Sequence, residues 1–373
     1  MIKNVENSKL TFIGQLEKFL VNSLIGFQII NVFGIGRRLG IFDYLYEKGS
    51  AFSNGKKITS VSFNFNELSS NLNLSPHYLN GWIHMSLACG IFEVNNCHEI
   101  NLQTAPFVYE LLVDQNNRLY LGDFLALCYD MTPSQEILCD SFKTGKFIEM
   151  DRLGPEIREY GQKNTVQTAP FIDKLFSIHF EANKMNLKNQ GNLLEVGCGY
   201  GNFLEYWAKK YKKAKIVGID IDPRAVAFTK KKFSKWNDGI EILEITVRDF
   251  AHINKNKFDV IILNQVLHEI NRDEKYRLKF FEDLYSILKD DGLLIVGEHI
   301  IPEIFSVDHK INLVEIWHLW LEVAYGSLFY NEEDFIKFIR STPFKKVELI
   351  KESKEYKTTL ESFQRGYFWA LKK

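Results

Sequence analysis

Asn192-Leu-Leu-Glu-Val-Gly-Cys-Gly-Tyr-Gly-Asn-Phe203 reads as a short apolar strand that runs into a glycine-rich turn and then a helix. Gly197, Gly199 and Gly201 stand in a G-x-G-x-G spacing, with Glu195 just ahead of them. Glycine at such a turn reaches positive φ without strain and lets the backbone come close to a ligand. A phosphate loop would need Lys and then Ser or Thr after the glycines, and neither follows. A dinucleotide fingerprint would place its third glycine one residue later. The spacing alone is also compatible with a purely structural turn.

Working outward, Lys215–Asp220 is a second short apolar strand that ends in an acid. Asp220 lies near the offset where nucleotide-type folds place a carboxylate for ribose hydroxyls. Its other reading is a helix cap, but Asp222-Pro223 supplies a better one. Further strands are expected at Ile240–Thr246, Phe258–Leu263 and Gly292–Val296, with helical patterns at Asn202–Tyr211, Arg224–Phe233 and Asp273–Lys289. Such alternation predicts an α/β domain with a mainly parallel sheet covered on both faces. Ligands of these sheets sit at the carboxyl ends of the strands, where Glu195, Asp220, Asp249, Asn264 and Glu298 all fall. Lys345–Lys351 and Arg365–Leu371 lack a helical crossover and should pair antiparallel.

The glycine stretch and this strand order resemble the class I S-adenosylmethionine (SAM) methyltransferases over about residues 186–373. The resemblance implies a Rossmann-like sheet with an antiparallel last strand. It implies SAM as cofactor, with Asp220 on the ribose and Asp249 near the adenine. Glu195, Gly197, Gly199, Gly201, Ile221, Phe250 and Asn264 complete the expected cofactor set.

With 373 residues, more than one domain is expected. A formal net charge of −1 gives no global pull toward nucleic acid or anionic membrane. The five cysteines show no C-x-x-C pairing, which suits a reducing cytoplasm. The apolar stretch Phe19–Phe33 is broken by Asn22, Ser23, Gln28 and Asn31 and reads as a buried amphipathic helix, not a membrane span. Residues 10–46 pattern as one or two long helices. Phe65–Leu72 and Ser75–Leu87 follow, the second with Ser75 as cap and Pro76 in its first turn. Ile91–Ile100 looks like a hairpin with Asn95-Asn96 at its tip. Helix, helix, hairpin is a winged-helix-like pattern, so a non-catalytic DNA-binding regulator is a competing reading. No Lys or Arg occurs between Lys57 and Arg118, so the would-be recognition helix has nothing to neutralise phosphates. The front half instead resembles the dimerisation domain of small-molecule O-methyltransferases, which implies a homodimer. The organisation expected is a mainly helical front domain over 1–115, a helical connector over 116–185 that roofs the active site, and a SAM domain over 186–373.

In the O-methyltransferase family, the position of His268 in Asn264-Gln-Val-Leu-His-Glu-Ile270 resembles the histidine that deprotonates a hydroxyl, and Glu298 resembles a flanking acid. A neutral imidazole suits that task near pH 7. A second resemblance competes with it. Gln265 and His268 are spaced i, i+3, so on a helical turn they face one way. His318 sits on an expected cover helix, Ile311–Leu321. Gln-x-x-His with a distant Trp-His resembles the metal site of 2-oxo-acid C-methyltransferases, which act on phenylpyruvate, 4-methyl-2-oxopentanoate or 2-ketoarginine. It implies zinc or iron held by Gln265, His268 and His318. Chelation of a 2-oxo acid by such an ion would acidify its β-carbon for methylation. If His268 binds metal, His299 becomes a candidate for the proton. Its other reading is a polar residue at a strand end, and His318 can equally pack between Trp317 and Trp320. Trp317, Glu315 and Glu322 are the candidate substrate residues, since the two carboxylates flank His318 on one helix face and suit a cationic side chain. They can equally be solvated or structurally paired.

Overall fold

The strands of the computed structural model are, in chain order, β1 (Ser62–Asn64), β2 (Phe92–Asn96), β3 (Asn101–Thr104), β4 (Asn192–Val196), β5 (Lys215–Asp220), β6 (Ile240–Glu244), β7 (Phe258–Asn264), β8 (Leu288–Glu298), β9 (Lys346–Ile350) and β10 (Tyr367–Lys372). The structure describes residues 11–52, 60–96, 101–117, 119–132, 135–148, 168–236, 239–300, 319–320, 322–344, 346–350 and 367–373. It divides into two units; among the described residues the first ends at Gln135 and the second begins at Glu136. The stretch expected as one connector, 116–185, is therefore shared between them.

The second unit holds a seven-stranded sheet in the order β6-β5-β4-β7-β8-β10-β9. Strands β4 to β8 pair parallel, and β10 pairs antiparallel with both β8 and β9. Strand β7 is buried from Phe258 to Leu263, as a central parallel strand covered on both faces must be. Because side chains alternate along a strand, neighbours in sequence feed different cores. Leu194, Val196, Ile261, Leu263, Leu294 and Val296 pack with Phe250, Phe281 and Phe338 on one face. Leu193, Val260, Ile262, Leu293 and Ile295 pack with Phe176, Leu204 and Trp207 on the other. Truncating any of these fully buried aliphatic residues to Ala costs about 2–5 kcal/mol.

The chain runs outward from β4 through β5 to β6, then returns to β7 on the other side of β4. That reversal opens a crevice at the carboxyl ends of β4 and β7. Val196 is in register with Leu263, so Gly197 and Asn264 leave the sheet side by side. The helices that follow are set by local caps. Asp222 accepts from the Arg224 N–H at 2.9 Å, and Asp273 accepts from Tyr276 N–H at 2.8 Å.

The first unit contains a three-stranded antiparallel sheet, β1-β3-β2, with the helices Phe65–Asn71 and Pro76–Ala88. Phe33, Phe42, Phe63, Phe92 and Ile83 are central to its core. Three details differ from the sequence reading. Asn95 and Asn96 belong to β2, and Asn96 pairs with Asn101, so they do not form the hairpin tip. Ser75 holds the cap position without a side-chain cap bond; Pro76 alone marks the start. The run Phe12–Arg38 is helical with a π turn at Lys18–Asn22. Val32 and Phe33 are buried, but Phe12, Ile13, Leu16, Leu20, Val21, Leu24 and Phe27 are exposed. The first half of this helix is therefore not buried within one chain, contrary to expectation. By length and composition alone the run could cross a membrane.

Candidate active site

Gly197, Gly199 and Gly201 all adopt positive φ, at 68°, 47° and 71°. Two of them also lack room for a side chain. A Cβ on Gly197 would lie 2.4 Å from Val266 Cγ2, and one on Gly201 would lie 2.7 Å from Thr229 Cγ2. The glycines thus let the loop wind tightly against its own neighbours. The loop is pinned from β5: Gly199 N–H donates to Asp220 Oδ2 at 2.7 Å, and Asp222 N–H donates to Asp220 Oδ1 at 2.9 Å. Thr229 Oγ1 donates to the Gly199 carbonyl at 2.7 Å. A carboxylate has about four acceptor positions, so Asp220 retains capacity for a ligand. Ile221, next along, is exposed.

Two strand-end acceptors in this crevice are buried without a partner: Glu195 Oε2 and Asn264 Oδ1. Buried polar atoms are rarely left so, and each of these two acceptors is open to a water or a ligand donor. Burial pushes the Glu195 carboxyl well above the usual carboxylate range, Asp220 adds to this, and Lys232 opposes it. These acceptors, with Asp220, match the donors of an amino-acid ammonium and ribose hydroxyls, so the residues fit SAM. Asp249 and Phe250 also have roles in the fold. Thr246 Oγ1 accepts from Asp249 N–H at 3.1 Å and donates to its Oδ2 at 2.7 Å, a reciprocal cap on the helix Val247–Ile253. The Phe250 side chain is in the core, 5.8 Å from the Phe258 ring.

His268 stands beyond β7, beside the end of β8. It is 2% exposed, and its Nδ1 lies 2.8 Å from Glu298 Oε1. Glu298 Oε2 also accepts the His268 backbone N–H at 3.1 Å, and Oε1 accepts that of His299 at 2.8 Å. In the neutral ring a carboxylate at Nδ1 keeps the proton there and leaves the lone pair on Nε2, which lies 3.9 Å from Glu269 Oε1. The ring stacks on Phe329, centroids 4.7 Å apart and planes 13° apart, while Leu328 N–H donates to the His268 carbonyl at 2.8 Å. Burial alone would lower the imidazole pKa; Glu298, with Glu269 and Glu322 behind it, raises it to about 9 instead.

The Gln265 expectation needs correction. Residues 265–270 form a turn, not a helix, and Gln265 itself has φ of 58°. Its N–H donates to Gly297 O at 2.7 Å, which holds this left-handed residue against β8. No helical face carries Gln265 with His268. His318, Trp317 and Glu315 lie outside the described residues. Glu322 is described and accepts from Ser327 Oγ at 2.7 Å. The donor atoms of His268, Glu269 and Glu322 lie within 4.8 Å of one another, a possible divalent-ion set different from the one expected. Enclosure raises the Glu269 carboxyl, Glu322 and Glu298 add to this, and His268 opposes it. The side chain is 49% exposed, so water screens much of that crowding. The sequence reading missed Glu269, although it adjoins His268. It also missed Phe329, for which no local pattern gave a signal.

The chain is similar to known methyltransferases. A family model described as "Methyltransferase domain" matches residues 194–294. The ribosomal protein L11 methyltransferase of Thermosipho africanus is 31% identical over 232 residues, which cover 60% of this chain and 85% of that protein. Among solved structures, human N-acetylserotonin methyltransferase in complex with SAM has a TM-score of 0.65 at 16% identity, covering 98% of this chain and 99% of that one. An O-methyltransferase family protein from Burkholderia thailandensis has a TM-score of 0.68 at 11% identity, with 98% of each chain covered. The chain belongs to the class I SAM-dependent methyltransferases.

Proposed function

We propose that the protein methylates a hydroxyl group of a small molecule, with His268 as general base and Glu298 as the acid that orients it. The buried His268–Glu298 pair at the carboxyl edge of the sheet carries this reading. SAM, when bound, supplies an electrophilic methyl group. Glu195, Asp220 and Asn264 hold and orient it. Glu298 keeps the imidazole proton on Nδ1 and stabilises the imidazolium formed when Nε2 takes the hydroxyl proton. Phe329 fixes the ring plane and excludes water from one face. The likeness to O-methyltransferase structures supports the choice of a hydroxyl acceptor.

The test is methyl transfer from SAM to a panel of phenols and other hydroxylated small molecules, read by mass spectrometry. His268→Ala should lower kcat about a hundredfold to ten-thousandfold. Affinity for S-adenosylhomocysteine should not change. Full activity in that variant would rule out the base.

A second reading is metal-assisted methylation at the β-carbon of a 2-oxo acid. The His268, Glu269 and Glu322 cluster favours it. Those side chains would hold zinc or iron, and the ion would supply Lewis acidity toward the 2-oxo acid. Elemental analysis separates the readings. About one tightly held ion per chain, lost in Glu322→Ala, would favour the second.

We also propose a homodimer. The exposed apolar stripe from Phe12 to Phe27 supports it. Light scattering should give twice the chain mass, and Leu20→Glu with Leu24→Glu should return it to a monomer.

A further inference from the structure

Arg277 is fully buried. A guanidinium away from water is costly unless each donor finds an acceptor, and a carboxylate is its usual partner. No described carboxylate lies within ion-pair distance of it. Its Nε donates to Asn271 O at 2.9 Å, its Nη2 to Ile270 O at 3.0 Å, and its Nη1 to the Tyr330 hydroxyl at 3.2 Å. The guanidinium also lies over the Tyr330 ring, 5.5 Å from its centroid.

These acceptors lie on two separate segments, and both reach His268. Ile270 and Asn271 end the turn that carries His268. Tyr330 follows Phe329, which stacks on the imidazole, and Leu328, whose N–H holds the His268 carbonyl. Arg277 itself sits in the first turns of the helix Glu274–Ile287, which is capped by Asp273 and packed on the sheet through Phe281 and Leu284. One rigid platform therefore grips both walls of the histidine's socket from behind.

We propose that Arg277 is a positioning residue. By tying Ile270 and Asn271 to Tyr330 it keeps the His268 ring aligned with Glu298 on one side and Phe329 on the other. The proposal rests on the reading of His268 as the base. Arg277 is fully buried and acts through Ile270, Asn271 and Tyr330.

The test needs a readout that a purely structural staple would leave alone. In protein labelled with 15N-histidine, the Nδ1–H proton of His268 should give a low-field resonance, assigned by its loss in His268→Gln. The proton's exchange with water measures how firmly the ring is held against Glu298. In Arg277→Met and Tyr330→Phe that exchange should accelerate about tenfold, the size of one lost hydrogen bond. Affinity for S-adenosylhomocysteine should stay at the wild-type value. Tyr330→Phe keeps the ring and removes one hydroxyl, so it decides the matter if Arg277→Met does not fold. Wild-type exchange in the folded variants would overturn the proposal, even if they melt earlier. Failure of the base reading is a separate result, since His268→Gln would then still transfer methyl groups.

Discussion

The two sides of the crevice are built by opposite rules. On the cofactor side, Glu195, the glycine loop and Asp220 come from two neighbouring strand ends, and the buried Glu195 Oε2 and Asn264 Oδ1 are left without partners. On the other side, His268 is bonded through its ring and its backbone N–H to a carboxylate 30 residues away, and is stacked on Phe329. The first side keeps acceptors open to a ligand's donors. The second is organised in advance, so that a proton acceptor needs no rearrangement when it acts.

If that contrast holds, damage on one side should spare the other. The largest effect belongs to His268→Ala, which should remove turnover while S-adenosylhomocysteine still binds with calorimetric affinity close to wild type. The next is pH dependence. The His268 pKa of about 9 means that the free enzyme carries the base mostly protonated at neutral pH. Log kcat/KM should rise with unit slope from pH 7 and level off near 9, about a hundredfold in all. Glu298→Gln should move that bend to lower pH and lower the plateau. Stability carries the same signature with the opposite sign. A histidine raised in the folded state stabilises fully below its ordinary pKa, about 6.5, and that contribution is lost as pH rises through the folded value. The Tm should fall over that window in the wild type, and should do so much less in Glu298→Gln.

Smaller effects probe the cofactor side. Gly197→Ala places a methyl 2.4 Å from Val266 Cγ2 at a φ of 68°. It should cost about 2 kcal/mol or more by denaturant titration. Adding Val266→Ala should recover the packing part of that loss and leave the backbone strain. Glu195→Leu should divide the cofactor side's two roles. The ligand-free protein should melt higher, because a buried carboxyl without a partner for one oxygen is gone, while S-adenosylhomocysteine affinity falls about tenfold or more. An unchanged affinity would remove Glu195 from the cofactor set. Gln265→Gly should have the smallest effect, a gain of about 1 kcal/mol in stability with activity kept. A loss of bound metal or of turnover in that variant would instead return Gln265 to the chemistry.

Much of the fold is legible in the order of the residues. The alternation of strand and helical patterns from Asn192 to Val296 announces a mainly parallel sheet covered on both faces. The lack of a helical pattern between the last two strands announces their antiparallel pairing. Asp222 before Pro223 announces a helix start. Sequence and fold part company where partners are distant or absent. Phe250 is expected in the cofactor set by resemblance, and its side chain is in the core, 5.8 Å from the Phe258 ring. Gln265 and His268 read as one helical face, but Gly297 on β8 captures the Gln265 N–H and turns the chain left-handed. The apolar stretch from Phe19 to Phe33 reads as a buried helix, yet Leu20, Val21, Leu24 and Phe27 in it are exposed, since among the described residues no other part of the chain covers them.

Short-range order therefore comes from composition and period: the strands, the glycine loop, the helix caps and the acid at the end of β5. Each depends on residues a few positions apart, whose conformational preferences act within one turn or one pleat. The socket of His268 comes from folding. It needs Glu298 from β8, Phe329 from the segment ahead of the helix Glu332–Arg340 and Arg277 from the helix Glu274–Ile287, brought together by strand register and core packing. The family resemblance names Glu298 beside His268, but residue order alone carries no mark of that pairing, because the contact exists only once the sheet has set β7 beside β8.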